Sequence, residues 1–249
     1  MGLLRVPLAF QDAVSHHTYI VVELIKGELF QKVIHQFVPQ QDHTFTTLTT
    51  QQFPLSIHSG RYSCGKSIFI ILSNTALTDS VYKMMLSGDT SAITNCGQFV
   101  NIQLDGMFLR RPISVCDYDG ETLTIVYKVV GKGTEVMSKM TPGQELDILT
   151  GLGNGYDLTL SGNKPVLLGG GVGVPPMYNL AKKLIGQGKK VSVILGFNTA
   201  SEVVYEEEFK ALGCSVTVTT VDGSHGTKGF VTDALPENYT YFYTCGPEP

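Results

Sequence analysis

The sequence has no tryptophan, only five cysteines and few charged residues, which make up 16% of 249 residues. The formal net charge is −4, whereas a nucleic-acid-binding surface would show clustered lysine and arginine. No apolar run approaches the ~20 residues that a membrane-spanning helix needs, and residues 1–6 lack the basic segment of a secretory signal. These absences indicate a globular protein of one or two domains, with neither nucleic acid nor membrane among its partners.

The cysteines are spread along the chain, with separations of 32, 20, 98 and 31 residues between neighbours. Because no Cys-x-x-Cys pair occurs, we expect neither a zinc site nor an iron–sulfur centre in this chain. The odd number argues against a disulfide framework, and reduced thiols fit a cytoplasmic protein. The five residues are Cys64, Cys96, Cys116, Cys214 and Cys245.

Residues 1–66 differ in composition from the rest of the chain and are treated as an atypical extension of unknown fold. They contain five of the six histidines but only four of the 27 glycines. No His-x-x-x-His pair would place two ligands on one helix face, so polar surface positions are favoured over a metal site. Residues 19–38 fit a strand or a helix equally well. The five histidines are His16, His17, His35, His43 and His58.

Residues 67–160 show the pattern of short strands separated by turns, with one short helix predicted over residues 134–140. The predicted strands span 68–74, 81–86, 98–104, 112–115, 122–129 and 145–149. About six short strands in such a segment favour a small antiparallel barrel or sandwich.

Residues 161–249 alternate strands with helices, which predicts a parallel sheet of nucleotide-binding type. Strands are expected at 165–168, 191–197, 215–221 and 240–245, and a short helix at 206–212. A longer helix begins near Pro175 and Pro176, since proline suits a first turn, and continues with an apolar residue every three or four positions. The sequence pattern therefore predicts a small antiparallel barrel or sandwich followed by an α/β domain.

Two glycine-rich segments are candidate phosphate sites, one in each half. Residues 169–173 link a strand to a helix, where bare backbone N–H groups and the helix dipole attract a phosphate. The segment departs from Gly-x-Gly-x-x-Gly, because Pro176 replaces the third glycine, so a purely structural turn stays open. In the other half, residues 131–134 precede the predicted helix, and Arg111 lies upstream on an apolar strand. Arg111 fits a diphosphate clamp or a surface pair with a carboxylate.

Six segments in this order resemble the ferredoxin reductase-type flavoproteins and, more closely, the electron transfer subunits of NAD-dependent dihydroorotate dehydrogenases of the B type. The resemblance covers about residue 68 to the end of the chain. The segments are 109–115 (LRRPISV), 127–134 (YKVVGKGT), 151–155 (GLGNG), 169–177 (GGGVGVPPM), 222–229 (DGSHGTKG) and 243–249 (YTCGPEP).

The resemblance implies an FAD-binding barrel over residues 67–160 and an NAD-binding domain over 161–249. It assigns the FAD diphosphate and ring to Arg111, Pro112, Ile113 and Ser114, and the flavin and ribityl chain to Val126, Tyr127 and Lys128. Backbone N–H groups of Gly133 and Thr134 would bind the diphosphate, and Gly170, Gly171, Gly173 and Val174 would approach NADH. Cys245 and Gly246 would lie near the nicotinamide, although Cys245 also fits a core thiol. No residue is expected to act as a catalytic acid or base, because the cofactors carry the hydride.

The resemblance also implies a partner, the dihydroorotate-oxidising catalytic subunit, in a heterotetramer of two copies of each chain that serves pyrimidine biosynthesis. The family continues past Gly-Pro-Glu-Pro into a helix and four cysteines that hold a [2Fe–2S] cluster, and this chain stops at Pro249. NADH is expected over NADPH, because residues 198–202 (NTASE) offer no cation for a 2′-phosphate. The alternatives are another NAD(P)H-dependent flavin reductase or a non-catalytic remnant. His225 is expected to be a solvated loop residue.

Overall fold

A computed structural model of the chain describes residues 21–25, 28–32 and 65–246. Two antiparallel strands, β1 (Val21–Ile25) and β2 (Glu28–Lys32), lie in the segment for which strand and helix were equally expected. The histidines assigned to the extension lie outside the described residues.

Residues 65–152 form a closed six-stranded antiparallel barrel, which confirms the predicted architecture of this half. The strand order around the barrel is β3-β4-β7-β6-β5-β8. Its interior is filled by apolar side chains such as Phe69, Met84 and Ile125, all fully buried. The elements are β3 (Gly65–Ala76), β4 (Val81–Ser87), β5 (Phe99–Ile102), β6 (Arg111–Tyr118), β7 (Thr122–Lys128), α1 (Lys132–Ser138) and β8 (Glu145–Leu152).

Helix α1 begins two residues earlier than the sequence pattern suggested. Gly131 is its N-cap in an extended conformation, and Thr134 occupies the third helical position rather than the cap. The Thr134 hydroxyl accepts hydrogen bonds from the backbone N–H groups of Val130 (2.9 Å) and Gly131 (3.3 Å). Because Thr134 reaches back to close the turn, Lys132 and Gly133 are already helical.

Residues 165–245 contain a five-stranded sheet in which every pairing is parallel, as the strand–helix alternation predicted. The strand order is β12-β11-β10-β9-β13. Helix α2 packs its apolar stripe, including Met177, Leu180 and Leu184, into the core beneath the sheet. The elements are β9 (Pro165–Gly170), α2 (Pro176–Gly186), β10 (Ser192–Phe197), α3 (Glu206–Ala211), β11 (Ser215–Thr220), β12 (Thr227–Lys228) and β13 (Tyr241–Cys245).

Barrel and sheet belong to one compact unit, and the second half of β6 packs against α2. Asp117 accepts a hydrogen bond from the Asn179 side-chain amide at 2.6 Å and forms a salt bridge with Lys182 at 2.8 Å. Lys183 donates to the Tyr118 hydroxyl at 2.7 Å. The two halves are therefore fixed to each other by polar contacts as well as by apolar packing. Within the described residues, no helix has the length and apolarity needed to cross a membrane.

Candidate functional site

The barrel places Arg111 directly over the first turn of α1. Arg111 begins β6, and its side chain lies where a Cβ atom on Gly133 would have to be. Its guanidinium donates to the Leu109 carbonyl oxygen at 2.5 Å and lies 3.0 Å from the Met107 sulfur. Because Gly133 has no side chain, the Arg111 guanidinium can lie against the N-terminus of α1. The guanidinium charge and the helix dipole both favour an anion at this place.

The neighbouring arginine, Arg110, has a different environment. Arg110 donates to an Asp147 carboxylate oxygen at 2.8 Å and to the Asp147 and Asn101 carbonyl oxygens at 3.1 and 3.2 Å. The hydrogen bonds from Arg110 and Lys66 outweigh partial burial and lower the pKa of Asp147. Among the salt bridges of the described residues, none involves Arg111. Arg110 is therefore paired within the barrel, whereas Arg111 has no carboxylate partner among the described residues.

The remaining predicted flavin residues lie on β6 and β7, and their side chains face different ways. Ile113 packs against the barrel core, whereas Pro112 is exposed and Ser114 is half-buried. On β7, Tyr127 faces inward, donates to the Asn74 side chain at 2.9 Å and stacks on Tyr82. Tyr127 as a whole residue is only 2% exposed, so the structure places it in the barrel interior.

Val126 and Lys128 follow the opposite face of β7, toward the sheet. Val126 belongs to the core cluster that barrel and sheet share, and it is nearly fully buried. Lys128 is exposed at the end of the strand. The alternation along β7 explains why the sequence segment alone did not distinguish core from ligand-facing positions.

On the sheet side, the glycine turn closes directly against the end of β13. A 3-10 turn over Gly171–Gly173 connects β9 to the start of α2. A Cβ atom at Gly173 would overlap the Cys245 carbonyl oxygen, and one at Gly246 would lie 3.0 Å from the Gly170 backbone. The structure thus brings together four residues that the resemblance assigned to NADH, namely Gly170, Gly173, Cys245 and Gly246. This close approach is possible because the glycines have no side chains.

The side chains of Val174 and Cys245, both assigned to this site, differ in exposure. Val174 is 0% exposed and lies in the core cluster that barrel and sheet share. Cys245 is half-buried, and burial raises the pKa of its thiol, which is therefore neutral at neutral pH. A neutral thiol beside the turn offers packing and a weak donor rather than a nucleophile.

A cleft joins the two halves. It is lined by barrel residues Ser80, Val81 and Lys128 and by sheet-side residues Gly171, Val172, Pro175, Phe197, Glu202 and Val204. Lys128 and Glu202 approach to 4.0 Å across it. The end of the flavin-assigned strand and the glycine turn thus face one crevice.

Glu202 follows β10 in the segment 198–202, which offers no cation for a 2′-phosphate. Its carboxylate accepts hydrogen bonds from the Asn198 backbone N–H at 3.1 Å and side-chain amide at 3.0 Å. Glu202 comes five residues after the last residue of β10 and folds back through a short turn. An acid here is the usual ribose partner in this type of sheet.

His225 is exposed in the loop after β11, as expected, and its Nε2 lies 2.8 Å from a Glu206 carboxylate oxygen. Among the described residues, no group of three or more His, Cys, Asp or Glu side chains is arranged to hold a metal ion.

Comparisons with known proteins agree with this geometry. Residues 167–249 match the family model described as an oxidoreductase NAD-binding domain. The chain is similar to an NADH-dependent reduced ferredoxin-NADP oxidoreductase structure, at 31% identity and a TM-score of 0.65, over 72% of this chain and 67% of that one. The flavohemoglobin-like FAD/NAD-binding domain of a Vibrio cholerae nitric oxide dioxygenase shares the fold at 20% identity and a TM-score of 0.60, over 73% and 87%.

Sequence relatives are closer. The chain is 47% identical over 193 residues to the dihydroorotate dehydrogenase B (NAD(+)) electron transfer subunit of Fusobacterium nucleatum, covering 71% of this chain and 73% of the relative. It is 40% identical over 195 residues to that of Bacillus pumilus, covering 74% and 75%.

The barrel, the parallel sheet and the cleft between them define a ferredoxin reductase-like oxidoreductase, the class that the sequence resemblance indicated. The chain belongs to the family of dihydroorotate dehydrogenase B (NAD(+)) electron transfer subunits.

Proposed function

We propose that this chain binds FAD on its barrel and NAD(H) on its sheet, and passes electrons between NAD(H) and a partner subunit that oxidises dihydroorotate in pyrimidine biosynthesis. The observation that carries the proposal is a cleft that Lys128 of the barrel and Gly171 of the glycine turn line together. Two cofactors held on opposite walls of one cleft can bring their redox rings together.

The barrel residues fit the FAD diphosphate. Arg111 supplies a cation, and the first turn of α1 supplies backbone N–H groups of Gly133 and Thr134. The Thr134 hydroxyl is already engaged with the Val130 and Gly131 backbone. Pro112, Ile113, Ser114, Val126, Tyr127 and Lys128 would flank the ring and ribityl chain. FAD, when bound, supplies a ring that accepts a hydride and releases electrons singly.

The sheet residues fit NADH. Gly170, Gly171 and Gly173 offer bare backbone beside the start of α2, Val174 supports the turn, and Cys245 and Gly246 close its far side. Glu202 would accept hydrogen bonds from a free ribose and would repel a 2′-phosphate. This placement supports a preference for NADH over NADPH.

The proposed partner is the dihydroorotate-oxidising catalytic subunit, since the relatives are named electron transfer subunits. Two copies of each chain would form the complex. The [2Fe–2S] cluster expected of the full-length family finds no four-cysteine set in this sequence, so we assign no residue of this chain to it. The proposed domains are residues 67–160 and 161–249, preceded by the extension 1–66.

A second candidate is another NAD(P)H-dependent flavin reductase. The 31% identity to an NADH-dependent reduced ferredoxin-NADP oxidoreductase favours it, because the cofactor walls do not encode the electron acceptor.

Co-expression with a dihydroorotate-oxidising subunit tests both. The proposal predicts co-purification, flavin absorbance and bleaching of that absorbance by NADH more than by NADPH under anaerobic conditions. Flavin reduction without co-purification would favour the second candidate. A colourless folded chain would overturn both and indicate a non-catalytic remnant.

A further inference from the structure

One tyrosine of the sheet half reaches the flavin-assigned strand of the barrel. Tyr205 is the N-cap of α3, and its hydroxyl oxygen accepts a hydrogen bond from the Cys116 thiol of β6 at 3.1 Å. Both residues are buried, with exposed fractions of 5% and 0%. Lys83 of barrel strand β4 lies 5.9 Å from the Tyr205 ring centroid. Tyr205 therefore contacts two barrel strands from one side chain.

The backbone of Tyr205 adopts an unusual conformation to make this contact. Its φ and ψ are 66° and 8°, and among the described residues no other non-glycine residue has positive φ. A bulky side chain in this region is strained, and such strain persists where the surroundings over-determine it. Here the ring is held edge-on by Tyr178 at 5.4 Å and Phe209 at 6.4 Å between centroids.

The register of β6 explains why Cys116 faces the sheet. The pairing of β6 with β7 shifts between Val115 and Asp117, so a bulge lies at Cys116. A bulge re-aims side chains, and here Cys116 and Asp117 both point at the sheet half, where Asp117 binds Lys182. Cys116 lies two residues beyond Ser114, about 7 Å along the strand. The strand assigned to the flavin therefore contacts Tyr205 near its C-terminal end.

We propose that Tyr205 is a positioning residue for hydride transfer: its bond to Cys116 fixes the flavin-bearing strand β6 relative to the glycine turn of the sheet. This inference rests on the proposed function and adds to it a residue that touches neither cofactor. A neutral thiol–phenol bond is weak, but it acts at the end of the strand that carries the ring. A displacement of about 1 Å between reacting groups is enough to slow a reaction on the order of 10²-fold.

The test compares Tyr205→Phe and Cys116→Ala, which delete the bond, with two controls. Cys116→Ser retains a hydrogen-bond donor at the same position. Tyr178→Phe removes a hydroxyl from the aromatic cluster around Tyr205, and within the described part of the chain this hydroxyl makes no hydrogen bond. We expect both deletions to bind FAD and NADH within about twofold of the wild type. Flavin reduction at saturating NADH should slow about tenfold or more in both deletions, with little change in either control.

A second readout needs no cofactor. In the FAD-free chain, urea unfolding gives the free energy of unfolding of Tyr205→Phe, Cys116→Ala and the double variant. The effects of the two substitutions should be coupled, so that the double variant is no less stable than the less stable single variant. Hydrogen exchange should accelerate in β6 and the first turn of α3 in both deletions.

Three outcomes would overturn the inference: unchanged flavin reduction in Tyr205→Phe, additive effects of the two deletions, or equal slowing in Tyr178→Phe. Failure of the proposed function is distinguishable, since the wild type itself would then bind no flavin or show no reduction by NADH.

Discussion

The barrel and the sheet present their candidate phosphate sites by different means. The barrel uses a charged side chain, Arg111, laid over the bare Gly133 of a short helix. The sheet uses a 3-10 turn of glycines at the start of a longer helix, with no arginine or lysine between Gly169 and Pro176. A charge-assisted site holds an anion more tightly than a backbone site. The difference fits a resident cofactor on the barrel and an exchanging one on the sheet.

The largest effect is expected from Gly133→Ala, which should weaken FAD binding about a hundredfold or more. The new Cβ atom would occupy the place of the Arg111 side chain and expel it from the helix N-terminus. Gly131→Ala is the matched control, since it lies two residues away in extended backbone with nothing within 4 Å of an added Cβ atom. Flavin retention after gel filtration measures both, and equal retention would contradict the charged-site account.

The next effect concerns the sheet, where Gly173→Ala should abolish most NADH-dependent flavin reduction while FAD stays bound. The added Cβ atom would overlap the Cys245 carbonyl oxygen and force the turn away from β13. Gly186→Ala is the control: Gly186 is the last residue of α2, and an added Cβ atom there would have open space around it, so this variant should behave as the wild type. If Gly173→Ala also lost FAD, the result would contradict the assignment of FAD to the barrel and of NADH to the sheet as separate sites.

A smaller contrast separates the two neighbouring arginines. Arg111→Gln should weaken FAD binding roughly tenfold to a hundredfold with little change in the free energy of unfolding. Arg110→Gln should keep FAD but lower the free energy of unfolding by about 1–2 kcal/mol, because Asp147 and two carbonyl oxygens lose their donor. Urea unfolding and flavin titration of both variants check this, and a reversed pattern would exchange the roles of the two residues.

The smallest effect is a pH dependence at the junction. Burial raises the pKa of the Cys116 thiol to about 12 from an ordinary value of 9.0. The folded state therefore holds the Cys116 proton more tightly than the unfolded state does. The contribution of this thiol to the free energy of unfolding is complete below pH 9 and is lost as the pH rises toward 12. Between pH 8 and 10, the wild type should lose roughly 1 kcal/mol more stability than Cys116→Ser, whose hydroxyl does not ionise. Parallel urea curves for the two proteins would contradict the assignment.

The architecture of residues 65–246 was predictable because its signals are local. Alternating strands gave the barrel, and a proline-led amphipathic helix after a glycine turn gave the parallel sheet. Arg111 and Gly133 were both found in sequence, since each belongs to a short motif with a clear physical reason. The structure places the two segments in direct contact.

The missed features depend on contacts between distant segments. The left-handed conformation of Tyr205 has no glycine or asparagine to signal it. The bulge that turns Cys116 and Asp117 toward the sheet arises from pairing register, which the sequence of β6 alone does not encode. Likewise, the sequence did not show that the Tyr127 ring fills the barrel, since one segment lines both faces of a strand.

The most direct measurement of the central claim is anaerobic stopped-flow reduction of the FAD-loaded chain by NADH and by NADH deuterated at the transferred position. If the cleft brings the two rings into contact, flavin absorbance bleaches with a primary deuterium isotope effect, and NADPH reacts more slowly. Bound flavin that NADH leaves oxidised would contradict the account.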